Sequence, residues 1–135
     1  MFENGSVSTD FESEKSLLGV LVAISIPIFT NQLEKSREAT DASNIRAAYA
    51  EVMVKLVEDP TAAVTHDPVD LKQSVDGWQN AANETSLKEL EHTAADASDV
   101  AVTVNISGVT KGGKVTFTYT PASGSTSGSL AIAAA

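Results

Sequence analysis

No cysteine occurs in the 135 residues, so disulfides, thiolate metal sites and thiol redox chemistry are excluded. Aromatic residues make up 5% of the chain, with a single tryptophan, and Ala, Ser, Thr and Val fill their place. A core of such side chains is thin, which suits an elongated molecule. Basic residues are also scarce: nine Lys and Arg stand against eighteen Asp and Glu, for a formal net charge of −9. With no basic stripe to offset it, that charge repels phosphate backbones, and no direct nucleic-acid binding is expected. The length suits one domain with a modest core.

What the chain does have is one wholly apolar helical run. Leu17, Leu18, Val20, Leu21, Val22, Ala23, Ile24, Ile26, Ile28 and Phe29, with Gly19 and Pro27 among them, would cover the full circumference of a helix rather than one stripe. Left in water, each large side chain would forgo roughly 1.5–3 kcal/mol of burial. The segment therefore has to be covered by other copies of the chain or by a membrane. Leu17 to Phe29 would give about 20 Å of helix at about 1.5 Å per residue, short of a hydrocarbon core about 30 Å thick. The preceding residues 1–15 are polar and acidic, with Glu3, Asp10, Glu12 and Glu14 against Lys15 alone. They do not read as a secretory signal, which needs a basic start, and are expected to be a disordered or foreign extension.

Beyond Pro27 the pattern becomes amphipathic. Ala42, Ile45, Tyr49, Val52 and Leu56 recur at spacings of three and four, with Met53 widening the stripe. Glu34, Lys35, Arg37, Glu38, Asp41, Arg46 and Glu51 are assigned to the opposite, solvated face. The helix should stop near Glu58, because Asp59 precedes Pro60 and is pushed out of the helical region. One helix over 16–57 is therefore expected, apolar over 17–29 and amphipathic over 30–57. Pro27 within it removes a backbone hydrogen bond, a loss of ~3 kcal/mol in an isolated helix; the alternative is that Pro27 begins the folded helix.

Residues 58–135 form the remaining head. Pro60 to Ala97 reads as a connection of poor periodicity, with one short helix from Thr85 to about Ala94 that turns Leu87 and Leu90 inward and with Trp78 over one edge of the core. After Asp99 the period becomes two. Val100, Val102, Val104 and Ile106, then Val115, Phe117 and Tyr119, alternate with Thr, Asn, Ser and Ala, as half-buried strands do. Gly108 to Gly113 is read as a hairpin loop, Pro121 to Ser129 as a flexible connection, and Leu130 and Ile132 as marking a third strand. The fold class that follows is α+β: one long N-terminal helix packed on a small antiparallel β-sheet, with Ile45, Tyr49, Val52, Met53 and Leu56 meeting Val102, Val104, Ile106, Val115, Phe117 and Tyr119.

Candidate chemistry is thin. His66 and His92 lie in separate polar segments, and HDPVD from His66 to Asp70 reads as a loop rather than a metal site. In GSTSG, from Gly124 to Gly128, Thr126 stands where a nucleophile elbow needs serine. Asp96 and Asp99 have no apolar flank to make an acid–base pair. Asn83-Glu84-Thr85 and Asn105-Ile106-Ser107 match an acceptor sequon, the second inside a strand. No catalytic, cofactor-binding or metal-ligating residue is assigned, no cofactor is expected, and the chain is read as not an enzyme.

The segment GVLVAISIPIFTNQLEKSREATDASNIRAAYAEV, from Gly19 to Val52, resembles the type IV pilins and pseudopilins, those of Gram-positive bacteria in particular, in its apolar run, in the separation of Gly19 and Pro27, and in the Ala-, Ser- and Asp-rich helix that follows. The order of variable region and small sheet agrees. The resemblance implies a structural subunit whose apolar helices, from Leu17 through Phe29, pack at the centre of a helical filament. It implies a membrane anchor before assembly, partners in a pilus assembly machine and in further copies of the chain, and a place at the cell surface in adhesion, motility or DNA uptake. A minor pilin or pseudopilin of a type II secretion or competence machine is the alternative; a stand-alone interaction domain, docking this helix into one partner protein, is the reading from another class. The chain departs from the family at its start. Gly5 and Asp10 stand at the family's separations from Pro27 for the cleavage glycine and the acidic residue, but Ser6, Val7, Ser8 and Thr9 are not the expected apolar neighbours. An unrelated leader in place of the usual one is the expectation.

Overall fold

A computed structural model describes the backbone of residues 4–135 and the side chains from residue 30 onward. Helix α1 runs Asn4–Glu58 and so begins before the expected Ser16. A formed helix extends at little cost where no proline intervenes. It also continues through Pro27 rather than starting there. The side chains of the expected assembly face, Leu17 to Phe29, lie outside the described residues. The chain divides into two compact units, Met1–Leu33 and Glu34–Ala135.

In the larger unit, α1 ends where Asp59 leads into Pro60; the Asp59 amide still donates to the Lys55 carbonyl, at 3.0 Å. Strand β1 spans Val64–Asp70, helix α2 Ala81–Lys88, β2 Val100–Asn105, β3 Lys114–Thr120 and β4 Gly128–Ala134. The four strands form one sheet in the order β1-β3-β4-β2. β3 pairs antiparallel with both β1 and β4, while β2 pairs parallel with β4, Val102 opposite Leu130 and Val104 opposite Ile132.

Four expectations are corrected here. The sheet is mixed, not antiparallel, because β4 lies between β2 and β3. The segment between those two strands is no hairpin loop. Its polar groups turn instead to the connection after β1: Gly77 donates to the Val109 carbonyl, Gly112 to the Gln73 carbonyl, and the Lys111 amide to Asp76. Next, the connection holds an unforeseen strand, β1. It lies at the sheet edge, where Pro68 is tolerated, and its register with β3 slips by one residue between His66 and Val69, a bulge that takes up the proline. Finally, the short helix lies upstream of the expected Thr85 start. Asn80 caps it by accepting from the Ala82 amide, and it ends at Lys88. Leu87 is fully buried as expected, and Leu90 only partly.

Alternation along each strand sends one face inward. Val102, Val104, Ile106, Val115, Phe117, Tyr119, Leu130 and Ile132 are all buried against Ala42, Ile45, Ala48, Val52 and Leu56 of α1. Ala48 was not foreseen; a methyl group between Ile45 and Val52 lets the helix sit close to the sheet. Tyr49 and Met53 are half-buried at the rim rather than central. Trp78 edges the core as expected, and its indole N–H donates to the Ile106 carbonyl at 2.9 Å. Fully burying Phe117 contributes about 1.5–3 kcal/mol, as does each of the larger aliphatic side chains.

Candidate functional site

The inward stripe of α1 changes chemistry part-way along. Upstream of Ala42 the positions that continue the spacing of Ile45, Val52 and Leu56 are Glu34, Glu38 and Asp41, and all three are buried. This corrects the assignment of these residues to the solvated face. Lys35 and Arg46 do lie on that face, and Arg37 is half-buried.

Each carboxylate receives backbone N–H groups from one stretch of the connection, residues 72–80. Asp41 accepts from the amides of Lys72 at 2.7 Å and Gln73 at 2.9 Å. Glu34 accepts from the Ser74 amide at 2.8 Å, the Val75 amide at 3.1 Å and the Ser74 hydroxyl at 2.6 Å. Glu38 accepts from Gln79 on one oxygen and from the Asn80 amide, at 2.8 Å, on the other. The connection runs as irregular backbone and could not pair its own donors, so the helix supplies acceptors in place of a strand. Arg37 donates to the Ser74 hydroxyl at 2.8 Å and lies 3.4 Å from Glu34, the nearest positive charge to the row.

The far side of the connection is equally tied. Buried Gln73 donates through its side-chain amide to the carbonyls of Val75 and Gly77, and Gly77 turns the chain at φ +74°. Residues 71–80 are thus held between three helix carboxylates and the loop after β2.

Two of the carboxylates titrate in opposite directions. Burial pushes Glu34 up, but the hydrogen bonds from Ser74 and Val75 and the Arg37 guanidinium outweigh it and hold the carboxyl below its ordinary value. For Asp41 burial wins over the Lys72 and Gln73 amides, and its carboxyl is raised. Both oxygens of every member of the row already accept hydrogen bonds, so the row acts as a clamp and offers no free general base. Among the described residues, no three or more His, Asp or Glu side chains are grouped to hold a metal ion.

The remaining polar candidates fall apart in space. His92 bonds to Asp99 at 2.7 Å on an exposed turn, and its backbone bridges Val102 at the outer edge of β2. Asp99 also accepts from the amides of Ala95 and Val100; the Ala95 amide, then His92 and Val100, hold its carboxyl down at about 2. His66 belongs to β1, where it meets Glu51 of α1 at 2.7 Å. The Asp96 carboxylate accepts from the Ser98 amide and hydroxyl, and its carbonyl accepts from the Asp99 amide, so the two carboxylates are not joined as an acid–base pair. Within GSTSG, Thr126 pairs with Ser123 in a turn, as a connection between β3 and β4. The Asn83 side-chain nitrogen is buried, so the first sequon is turned inward, and Asn105 is exposed at the end of β2.

The carboxylate row was legible only in retrospect: extending the 3.6-residue stripe upstream from Ile45 lands on Asp41, Glu38 and Glu34. Nothing in the sequence indicated the donors, which lie 31 to 42 residues further along the chain. Comparison with protein-family models, with curated proteins and with solved structures gave no match.

Proposed function

We propose that the chain is a structural subunit of a type IV pilus, which assembles through the apolar part of its N-terminal helix into a helical surface filament. The supporting observation is the apolar run itself. Leu17 to Phe29 would present apolar side chains on every side of a helix, while the unit Glu34–Ala135 closes a hydrophobic core from its own helix and sheet. Such a run calls for burial by neighbouring copies. Repeated heterologous contacts of that kind, which do not close on themselves, generate a filament rather than a ring.

A second line of support is the way α1 is used in the larger unit. One face is spent on the sheet and on the connection, through Ile45, Val52 and Leu56 and through the buried carboxylates. The sheet turns Thr103, Asn105, Thr118, Thr120 and Ser129 outward, a polar face suited to the exterior of an assembly. The subunit would be anchored in the membrane before assembly and displayed at the cell surface afterwards.

The test is negative-stain microscopy of material sheared from cells that produce the chain, labelled with antibody against the head. Thin filaments decorated along their length support the reading, and their loss in Ile24→Glu cells, with the head still folded, ties assembly to the apolar run. Cells bearing the wild-type chain as a defined one-to-one complex with another protein, with no filament, would favour the interaction domain and overturn the proposal.

A further inference from the structure

His66 sits where β1 is weakest. β1 is an edge strand with a neighbour on one side only, and its ladder to β3 is broken by the bulge between His66 and Val69. At that point the imidazole replaces the missing ladder bonds. Its Nε2 lies 2.7 Å from a carboxylate oxygen of Glu51 on α1, and its Nδ1 lies 2.6 Å from the backbone carbonyl of Asp67. The ring rests edge-on against Phe117 of β3, with centroids 5.8 Å apart.

Both partners are acceptors. A neutral imidazole carries one N–H, so one of the two contacts would bring lone pair against lone pair. Only the imidazolium donates at both nitrogens.

We propose that His66, Glu51 and the Asp67 carbonyl form a proton-dependent clasp, which fixes the bulged middle of edge strand β1 to helix α1 and releases it as pH rises. The groups that face the ring are Glu51 and Lys55 from α1, the Asp67 carbonyl from β1 and the uncharged Phe117 from β3. Glu51 and the Asp67 carbonyl favour the charged ring, while burial and Lys55 oppose it; the net direction is upward from 6.5. A raised value in the folded state means that the contribution is complete below about 6.5 and is lost as pH climbs through the folded value. On release the ring keeps its bond to Asp67, and Glu51, already exposed, swings into water. β1 then keeps its interrupted ladder to β3, the Asp70–Lys114 pair and the core contacts of Val64 and Val69, but loses this tie to α1. The clasp does not depend on the filament reading, because every atom in it lies in the larger unit.

The test is nitrogen NMR of the full-length chain, in detergent if needed, with His92→Gln to leave a single histidine. Both His66 ring nitrogens should carry protons below the ring's midpoint, and that midpoint should lie above 6.5. The amides of Val64, Thr65, Val69 and Asp70 should shift with that same midpoint. Their exchange protection, corrected for intrinsic rates, should fall about tenfold for each unit by which the midpoint exceeds the free value. Glu51→Gln changes an exposed residue and leaves the fold intact; it should bring the midpoint down toward the free value and flatten the response of the strand. A midpoint at or below 6.5 overturns the proposal, as do β1 amides that stay unmoved while the ring titrates.

Discussion

Replacing Glu38 by alanine removes the acceptor of two amides at once. Glu38 is fully buried, and the Gln79 and Asn80 N–H groups each approach a different carboxylate oxygen. A buried donor left without a partner costs about 1–3 kcal/mol, so the loss is about 2–6 kcal/mol before any repacking. Domains of this size are stable by about 5–15 kcal/mol in total, and Glu38→Ala therefore removes a large part of the margin. Glu38→Gln keeps the volume and one carbonyl oxygen. One amide remains satisfied and the other meets an NH2 group, for a loss of about 1–3 kcal/mol. The assay is urea unfolding followed by Trp78 fluorescence, which reports from the residue next to Gln79. With a slope of about 2 kcal/mol per molar, the midpoint should drop by about 1–3 M for the alanine variant and by about half of that for the glutamine variant. Lys35→Gln, on the exposed face of the same helix, should stay within about 0.5 kcal/mol. If Glu38→Ala also stays within that margin, water satisfies the connection and the clamp is not a stabilising element.

Glu34 and Asp41 should leave opposite marks on acid unfolding. Glu34 is held below 4.5, so its contribution is present above that value and lost as pH falls through the folded one; the advantage of wild type over Glu34→Gln should shrink as pH falls below 4.5. Asp41 is raised above 3.8, so ionisation costs the fold something, and the advantage of wild type over Asp41→Asn should grow as pH falls through the raised value. Gly128→Ala would place a methyl group 2.5 Å from the Tyr119 hydroxyl oxygen and 2.9 Å from its ring. That hydroxyl donates to the Pro60 carbonyl, so the ring cannot move without breaking the bond; a loss of about 1–3 kcal/mol in urea is expected. Phe117→Ala, at the centre of the sheet, should cost about 3–5 kcal/mol by the same assay.

The parts of this fold that rest on a local repeat were readable from the residues. Ile45, Val52 and Leu56 announced the buried stripe of α1, and Val102–Ile106, Val115–Tyr119 and Leu130–Ile132 announced their strands, because burial on one side imposes the period. The parts that rest on long-range pairing were not. Strand order depends on which edges meet, and Leu130 and Ile132 say that β4 is half-buried but not that it separates β2 from β3. β1 escaped notice because Pro68 and the bulge break its alternation after His66. Glu34, Glu38 and Asp41 escaped notice for a different reason: a carboxylate on a helix reads as solvated unless its donors are known, and here they are main-chain groups that any sequence would carry. The candidate assembly face had the plainest signal of all, since an apolar run that covers a helix on every side needs no partner position to be recognised.

The proposed burial of Leu17 to Phe29 by neighbouring copies is directly measurable, because the sequence holds no cysteine to compete with an introduced one. With Val22→Cys as the sole thiol, maleimide labelling should be slow in sheared, assembled material and fast once the subunits are dispersed in denaturant. A thiol protected to the same degree in a detergent-free monomer, with no filament present, would show that the run is buried within its own subunit.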